Sequence, residues 1–333
     1  MEAQTQPRQR EPGPNWAYRR RGFSNLLRMG HCAPTVMQTI VDVSSTEAPT
    51  DGEWLVRLSA GMPGGIGNTG HECGAVTSPL ALMGVQGGLR EMDRGLPVLF
   101  DRGHALCRNF VARHQTLQCR EIRTKDGFPR QCIGPVLRSA ELWRDAVDGD
   151  HSDAIPQGTR AGYSRLYSHF TENGFHCAKA VLTDLGYSAA ADPELFDATS
   201  AHMGGTLFMG GTCSALAAGV MAIGLEAGEI EGSRLRVIRL LAIMTVGGDA
   251  FDDRLNKFNP SMNRGHRLSR WFASEFGSTQ CRKITGCDFA DSQGVARYIE
   301  SDQLTKCRAI GCRVAEQVRT VLAESGSPAA AVP

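Results

Sequence analysis

Eight of the eleven cysteines form four pairs at matching places in the two halves of the chain. Within each half the four cysteines come from four separate segments, so only the fold can bring them together. Four converging thiolates can hold an iron–sulfur cluster, and they can equally provide two pairs of exchangeable thiols. The spacing leaves both kinds of chemistry open. The pairs are Cys32 with Cys177, Cys73 with Cys213, Cys119 with Cys281, and Cys132 with Cys307.

Cys73 and Cys213 each follow a glycine-rich turn and precede an apolar run with helical spacing. Free backbone N–H groups and the positive end of the helix dipole favour negative charge at such a position. We therefore expect a lowered thiol pKa and a more reactive thiolate, which makes these two residues the candidate catalytic nucleophiles. The alternative is that the glycines only allow another helix to pack closely.

A basic nonapeptide occurs in both halves, as RGHALCRNF at 102–110 and RGHRLSRWF at 264–272. Positive side chains near several thiolates would offset the negative charge of a thiolate-bound centre. A structural role, in which the arginines cap or bridge helices, fits the same residues. His31 and His176, each just before a cysteine, are expected to support the core rather than bind metal. The candidate cofactor-contacting residues are Arg102, His104, Arg108, Arg264, His266 and Arg270.

These matches identify one unit of sequence that occurs twice, and such a repeat determines the architecture. A chain of 333 residues is long enough for two domains, each with a core of its own. Its ends are polar and contain proline, which is typical of disorder, and the segment between the repeats is rich in turn-forming residues. The predicted organisation is a disordered leader at 1–22, a first repeat at 23–147, a linker at 148–162, a second repeat at 163–323 and a disordered tail at 324–333.

Apolar residues recur mostly at helical spacing, and alternating β-branched runs are scarce. We therefore predict an all-α protein of two tandem helical bundles, with about five helices in each repeat. The longer interval before Cys281 in the second repeat predicts one additional helix at 231–248. The other helices are expected near 23–43, 52–61, 73–86, 99–115 and 130–147, and near 163–186, 193–202, 212–227, 262–277 and 303–323.

Composition narrows the class of protein and its compartment. A net charge of +1 without a clustered basic face argues against a nucleic-acid partner. No apolar run approaches the roughly 20 residues that a membrane helix needs. The cysteines form no short, evenly spaced framework of disulfides, so a reducing cytoplasm is expected. No C-x-x-C pair occurs, which disfavours a thioredoxin-like dithiol, a zinc ribbon and a ferredoxin-type cluster loop.

The cysteine layout resembles the C_GCAxxG_C_C family of redox-active proteins. Each repeat has one cysteine in an early helix, then a glycine-rich loop leading to a central cysteine, and then two later cysteines; the first repeat reads C-G-A at 73–75. The likeness covers 23–147 and 163–323. It implies a helical redox protein associated with electron transfer, with an iron–sulfur centre as one option. By this likeness the family's four cysteines fall on the four paired cysteines of each repeat.

The match to the family motif is not literal. Glu72 or Thr212 precedes the central cysteine in place of glycine, and Ser78 or Ala218 occupies the position of the final glycine. The four-cysteine layout and the double glycine match the family pattern more closely than the individual residues of the motif do.

The leading prediction is a cytoplasmic electron-transfer protein that works with a redox partner protein. Each repeat would bind one iron–sulfur cluster through its four cysteines, so the predicted metal ligands are all eight paired cysteines. The first alternative is a thiol–disulfide oxidoreductase without metal. The second is a binding module that holds zinc or copper through the same residues. Self-association into a homo-oligomer stays open.

Overall fold

A computed structural model describes residues 15–44, 52–124, 130–229, 237–238 and 260–324. These residues form α-helices and one two-stranded hairpin, so the all-α prediction is confirmed. The first repeat consists of α1 Asn15–Met29, α2 Cys32–Val43, α3 Gly52–Ser59, α4 Gly74–Gly87, the strands β1 Met92–Asp93 and β2 Leu96–Pro97, α5 Val98–His114, α6 Cys119–Thr124 and α7 Arg130–Asp148.

Within its described residues from α8 to α15, the second repeat has the same order of long helices and one addition, α14, which lies between its last two paired cysteines. Its helices are α8 Gln157–Glu172, α9 Cys177–Leu185, α10 Pro193–Ser200, α11 Ser214–Ala227, α12 Pro260–Phe276, α13 Cys281–Thr285, α14 Ser292–Glu300 and α15 Gln303–Ala323. The helix predicted at 231–248 lies almost wholly outside the described residues. None of the described helices has the length and apolar character needed to cross a membrane.

Two long helices of the prediction are each broken in two. The expected helix 23–43 is interrupted at Gly30, and the expected helix 163–186 is interrupted at Gly174. Both glycines have left-handed backbone angles, with φ of 71° and 55°, and such a residue commonly ends a helix. The apolar spacing continues across both breaks, which is why periodicity alone missed them.

The predicted leader and linker were too long. Helix α1 begins at Asn15, inside the predicted leader, and its inner face packs on the rest of the repeat. Tyr18 is buried, and Arg19 Nε lies 2.6 Å from Glu141 Oε1 of α7. Helix α8 begins at Gln157, inside the predicted linker. Residues 1–14 and 325–333, the rest of the leader and tail, lie outside the described residues.

The two repeats interlock in a reciprocal way. Helix α4 of the first repeat packs on α10 of the second, and α11 packs on α3. At the closest points, a Cβ on Gly84 would collide with the carbonyl oxygen of Asp197, and a Cβ on Gly224 with that of Arg57. Because equivalent residues meet in both directions, the repeats are related by an approximate twofold axis.

The repeats also share one hydrophobic core, rather than having the two separate cores that the chain length allowed. The Phe100 ring of α5 lies 5.0 Å from the Phe208 ring of the second repeat. A buried ion pair between Asp101 and Arg160 joins α5 to α8. Each repeat therefore forms part of the surroundings of the other.

Candidate functional site

The four paired cysteines of the first repeat line one cavity, the first cavity, with about 590 Å³ of atom-free space. Residues from α2, α6, α7 and the turn before α4 meet there, as the cysteine pattern predicted. The second repeat contributes Met262 from α12 to the same wall. The first cavity is therefore completed across the repeat interface. Its cysteines are Cys32, Cys73, Cys119 and Cys132.

The four paired cysteines of the second repeat line an equivalent cavity, the second cavity, with about 400 Å³ of atom-free space, part of it open to solvent. Three aromatic side chains, Phe170, Phe289 and Tyr298, form part of its wall. The gathering of four distant sulfurs thus occurs twice in the chain. The cysteines of this cavity are Cys177, Cys213, Cys281 and Cys307.

All eight paired cysteines lie at or near the N-terminus of a helix. In the first repeat, α2 and α6 begin at Cys32 and Cys119, Cys73 caps α4, and Cys132 lies in the first turn of α7. In the second repeat, α9 and α13 begin at Cys177 and Cys281 and Cys213 caps α11, whereas Cys307 lies one turn further along, in the second turn of α15. Helix N-termini carry partial positive charge, so several helix dipoles favour negative charge around each cavity.

The double-glycine loop brings a backbone donor to the first cysteine of each repeat. Burial raises the pKa of Cys32 and of Cys177, and the N–H groups of Gly64 and Gly204, which face the two sulfurs, act against that rise. Both glycines have left-handed φ angles, of 78° and 59°. A left-handed residue of this kind is strongly disfavoured for side chains other than glycine, which explains the repeated glycine at this point.

The expected lowering of the thiol pKa at Cys73 and Cys213 is wrong. Burial raises the pKa of both thiols far above the ordinary value, and neighbouring cysteines raise it further. The N–H groups at the start of α4 and α11 act in the expected direction, but burial outweighs them. An isolated buried thiolate is unfavourable, so burial acts against the expected activation of both thiols.

The thiols within one cavity oppose each other's ionisation. Burial is the main cause of the raised pKa of Cys281, and the next causes are Cys213, Cys177 and Cys307. All eleven cysteines are free thiols in the structure. Several thiolates can coexist at such short range only with a compensating positive charge, which a bound metal centre supplies.

Each cavity offers four sulfur donors, which both zinc and iron–sulfur centres use as ligands. Within the described part of the chain, no three His, Cys, Asp or Glu side chains converge closely enough to hold one metal ion. A zinc site requires its ligands within about 2.3 Å of one point. The ligands of an iron–sulfur cluster bind different iron atoms, so they need not meet at one point.

The two cavities differ in polarity at equivalent positions. Arg123 and Asn68 line the first cavity, where the second repeat has Thr285 and Phe208. Burial raises the pKa of Cys32 and of Cys132, and the charge of Arg123 acts against that rise at both thiols. Arg123 was not among the predicted site residues, although its position four residues after Cys119 places it one helical turn away on the same side of α6.

The second cavity has groups that the first lacks. Tyr298 of α14 lies with its hydroxyl oxygen 3.5 Å from Cys307 Sγ. Lys306 directly precedes Cys307 in the sequence. Burial raises the pKa of the Cys307 thiol, and the charge of Lys306 acts against that rise. Tyr298 belongs to the stretch without a counterpart in the first repeat, so comparing the repeats could not identify it.

The arginines of the first basic nonapeptide lie away from both cavities. Arg102 forms a long ion pair with Glu91 at 4.0 Å, and Arg108 pairs with Asp153 at 3.6 Å. Neither arginine lines a cysteine cavity. Both arginines therefore pair with acidic residues elsewhere on the surface, which fits a structural role for them.

The other four candidates of the nonapeptides are also outside the cavity walls. His104 Nε2 lies 2.9 Å from the carbonyl oxygen of Leu207, and burial lowers the pKa of this imidazole to about 4. It thus joins α5 to the second repeat as a neutral group. Arg264, His266 and Arg270 lie on α12, and Arg270 is exposed.

The three unpaired cysteines lie outside both cavities. Cys107 is buried in α5, where burial raises its pKa to about 12. Cys287 is buried after α13, and Cys312 is exposed on α15. Internal duplication therefore separated the eight cavity cysteines from these three correctly.

Comparison with known families agrees with this division. The family model described as "Putative redox-active protein (C_GCAxxG_C_C)" matches residues 30–146 and 175–321. The chain belongs to the C_GCAxxG_C_C family. The tandem duplication is thereby confirmed, and the family description supports a general redox role. No curated protein and no solved structure matches the chain.

In this C_GCAxxG_C_C protein the two matched regions contain all eight cavity cysteines. Helix α14 also lies inside the second matched region, as an addition that the first repeat lacks. The family assignment thus covers both sites but does not explain the differences between them.

Proposed function

We propose that this C_GCAxxG_C_C protein is an electron-transfer protein in which each repeat holds one iron–sulfur cluster through its four cavity cysteines. The observation that carries the proposal is the gathering of four sulfurs from four separate segments, at or near helix N-termini, around one cavity, twice in one chain. A cluster held by four thiolates has net negative charge, which helix dipoles and backbone N–H groups stabilise. When bound, the cluster would supply reversible one-electron chemistry.

The chain's own residues would set the conditions for that chemistry. Gly64 and Gly204 present N–H groups to one sulfur in each cavity. Hydrogen bonds to the sulfurs, local charge and solvent exposure are what adjust a cluster's potential. The buried walls around Cys73 and Cys213 would limit access of water and oxygen to the centre.

We also infer a reducing compartment, such as the cytoplasm, and a redox partner protein. Eleven free thiols persist most readily where disulfides are kept reduced. An electron-transfer protein needs a donor and an acceptor, which the partner would provide.

The test is metal and sulfide analysis of protein purified without air. We expect brown protein that contains iron and acid-labile sulfide, with absorption and EPR signals of clusters. Cys73→Ser and Cys213→Ser should each lower the iron content by about half, because each affects one repeat. Cys107→Ser, a buried cysteine outside both cavities, should leave the iron content unchanged. Colourless protein without iron would overturn the proposal, and zinc or copper without sulfide would favour a single-metal module.

Thiol–disulfide exchange with Cys73 and Cys213 as nucleophiles is less well supported. That reaction requires ionised thiols near neutral pH, and burial raises the pKa of both thiols. Alkylation of the two thiols faster than that of free cysteine at pH 7 would restore this alternative.

A further inference from the structure

In the first repeat, two of the cavity cysteines are held together by a short antiparallel contact between two loops. The N–H of Cys73 donates to the carbonyl oxygen of Leu117 at 2.8 Å, and the N–H of Cys119 donates to that of His71 at 2.6 Å. These four residues are called the first bridge. The first bridge fixes the backbone that carries two of the four sulfurs of the first cavity.

The second repeat has an equivalent contact, the second bridge. The N–H of Cys213 donates to the carbonyl oxygen of Thr279 at 2.8 Å, and the N–H of Cys281 donates to that of Gly211 at 2.7 Å. The same pair of cysteines is therefore held by backbone hydrogen bonds in both repeats.

Two side chains of the first repeat reach across the approximate twofold axis to the second bridge. The N–H of Thr212 donates to Glu72 Oε1 at 3.1 Å, and the Thr212 hydroxyl donates to Glu72 Oε2. His71 Nε2 lies 2.7 Å from Thr279 Oγ1. Arg120 faces His71 Nδ1 at 2.9 Å, and a guanidinium can only donate, so Nε2 carries the hydrogen and donates it to Thr279. Both side chains of the first repeat are almost completely buried.

The second repeat cannot return these contacts to the first bridge. Gly211 stands at the position of His71, and Leu117 stands at the position of Thr279. Glycine has no side chain that could reach the other repeat, and leucine has no hydroxyl group that could accept. A Cβ on Gly211 would also collide with Glu72 Oε1. The axis therefore has room for one histidine–glutamate pair, which the first repeat supplies.

We infer that His71 and Glu72 are positioning residues for the second cavity, although they belong to the first repeat. The two threonines that they hold act on the backbone that carries Cys213 and Cys281. Glu72 binds the backbone N–H of its partner directly, whereas the same contact reaches the first bridge only through a flexible side chain. The second bridge is therefore restrained more than the first. This inference rests on the proposed role of the cavity cysteines but not on a particular metal.

The test measures the rate at which iodoacetamide alkylates each cysteine of reduced, metal-free protein, by mass spectrometry. A buried thiol reacts when its surroundings open locally, so the rate reports how firmly the cysteine is held. Glu72→Thr, which introduces the residue of the second repeat, and His71→Ala each remove hydrogen bonds to the second bridge. Each should raise the rates of Cys213 and Cys281 at least about fivefold. The rates of the two cysteines in the first bridge should rise much less.

Three further variants separate positioning from a general loss of stability. Glu72→Gln keeps an oxygen that accepts from the Thr212 N–H, so its rates should stay within about twofold of the wild type. Thr279→Val removes the acceptor of His71 from the opposite side and should reproduce the effect of His71→Ala. Gly84→Ala disturbs the repeat interface at another point and should raise the rates in both cavities alike.

The iron content tests the same inference at the loaded sites. Cys73→Ser leaves the second site to bind iron, and Cys213→Ser leaves the first. Adding His71→Ala should lower the iron content several-fold in the Cys73→Ser protein and much less in the Cys213→Ser protein. An equal loss of iron in the two proteins would contradict the inference.

Alkylation rates that rise equally in the two cavities for Glu72→Thr and His71→Ala, or that do not rise in the second, would overturn the inference. Glu72→Gln protein that reacts as fast as Glu72→Thr protein would also overturn it. Because alkylation is measured without metal, the inference can fail while the cluster is found, or hold while the protein proves to be metal-free.

Discussion

The hydroxyl oxygen of Tyr298 lies 3.5 Å from the sulfur of Cys307 at the wall of the second cavity. The contact acts to lower the pKa of the Cys307 thiol, which burial raises to about 11. A hydrogen bond to a sulfur stabilises its ionised form. The first repeat has no equivalent of α14, so this interaction distinguishes the two sites.

Tyr298→Phe should raise the pKa of Cys307 above about 11, because the thiolate loses its donor while the ring remains. The rate of alkylation of Cys307 at pH 9 should fall several-fold, as measured by mass spectrometry on reduced protein. Tyr163→Phe is the control, because Tyr163 lies in the same aromatic cluster but not in the cavity wall. A faster reaction at Cys307, or an equal loss in the control, would contradict this role of the hydroxyl group.

The buried contact between Glu72 and Thr212 should stabilise the fold. Thr212→Val keeps the side-chain shape but removes one of the two donors to the buried Glu72 carboxylate. A hydrogen bond to a charged group contributes about 1.5–3 kcal/mol, so the free energy of unfolding should fall by about that amount in urea titrations. Thr77→Val is the matched control, since Thr77 is fully buried and its hydroxyl has no hydrogen-bond partner. That variant should be neutral or slightly stabilising; an equal loss in both would argue against the contact.

The sequence could predict which cysteines lie in the cavities, because the chain contains two copies of the same unit. Two copies of one unit must place equivalent residues in equivalent surroundings, so the pairing alone separated cavity cysteines from Cys107, Cys287 and Cys312. The positions of Cys73 and Cys213 at helix starts followed from the glycines before them. The raised pKa of these thiols could not be predicted from the local sequence, because burial depends on neighbours from distant segments.

The role of the basic nonapeptides was not predictable from local sequence. Their conserved spacing within the chain reflects packing between the repeats: a Cβ on Gly103 would collide with Leu207, and Gly265 lies against Gly67. Contacts between the repeats cannot be recognised from the sequence of a single repeat. By contrast, Arg123 follows Cys119 at a helical spacing of four, so a search of that helix for positive charge could have found it.

The glycines at the repeat interface give a sharp test of the interlocked fold. Gly84→Ala should destabilise the protein by about 1–3 kcal/mol, because the added Cβ would collide with the carbonyl oxygen of Asp197. Gly224→Ala should do the same at the reciprocal contact with Arg57. Thermal and urea unfolding of the two variants measure the change in the free energy of unfolding that each substitution causes.

The control for these substitutions lies in the same helix. Gly87 in α4 has nothing within 4 Å of the position of an added Cβ. Gly87→Ala should therefore stabilise the protein by up to about 1 kcal/mol through helix propensity. Equal effects of Gly84→Ala and Gly87→Ala would show that the two repeats do not pack as described.

Acid should destabilise the protein through His202. This imidazole is fully buried, neither ring nitrogen has a hydrogen-bond partner, and burial lowers its pKa to about 4. In the unfolded chain it titrates near 6.5, so the unfolded state binds the proton first as the pH falls. Stability is therefore lost between about pH 6.5 and pH 4, with about 2 kcal/mol of that loss between pH 7 and pH 5.

His202→Met should remove this part of the acid sensitivity, because the equivalent residue of the first repeat is the buried Met62. Urea titrations at pH 7 and pH 5 should show a smaller drop in the free energy of unfolding for the variant than for the wild type. His151→Met, at a half-buried histidine near the end of α7, is the control and should retain the full drop. If His202→Met loses as much stability between pH 7 and pH 5 as the wild type, another group is responsible for the acid response.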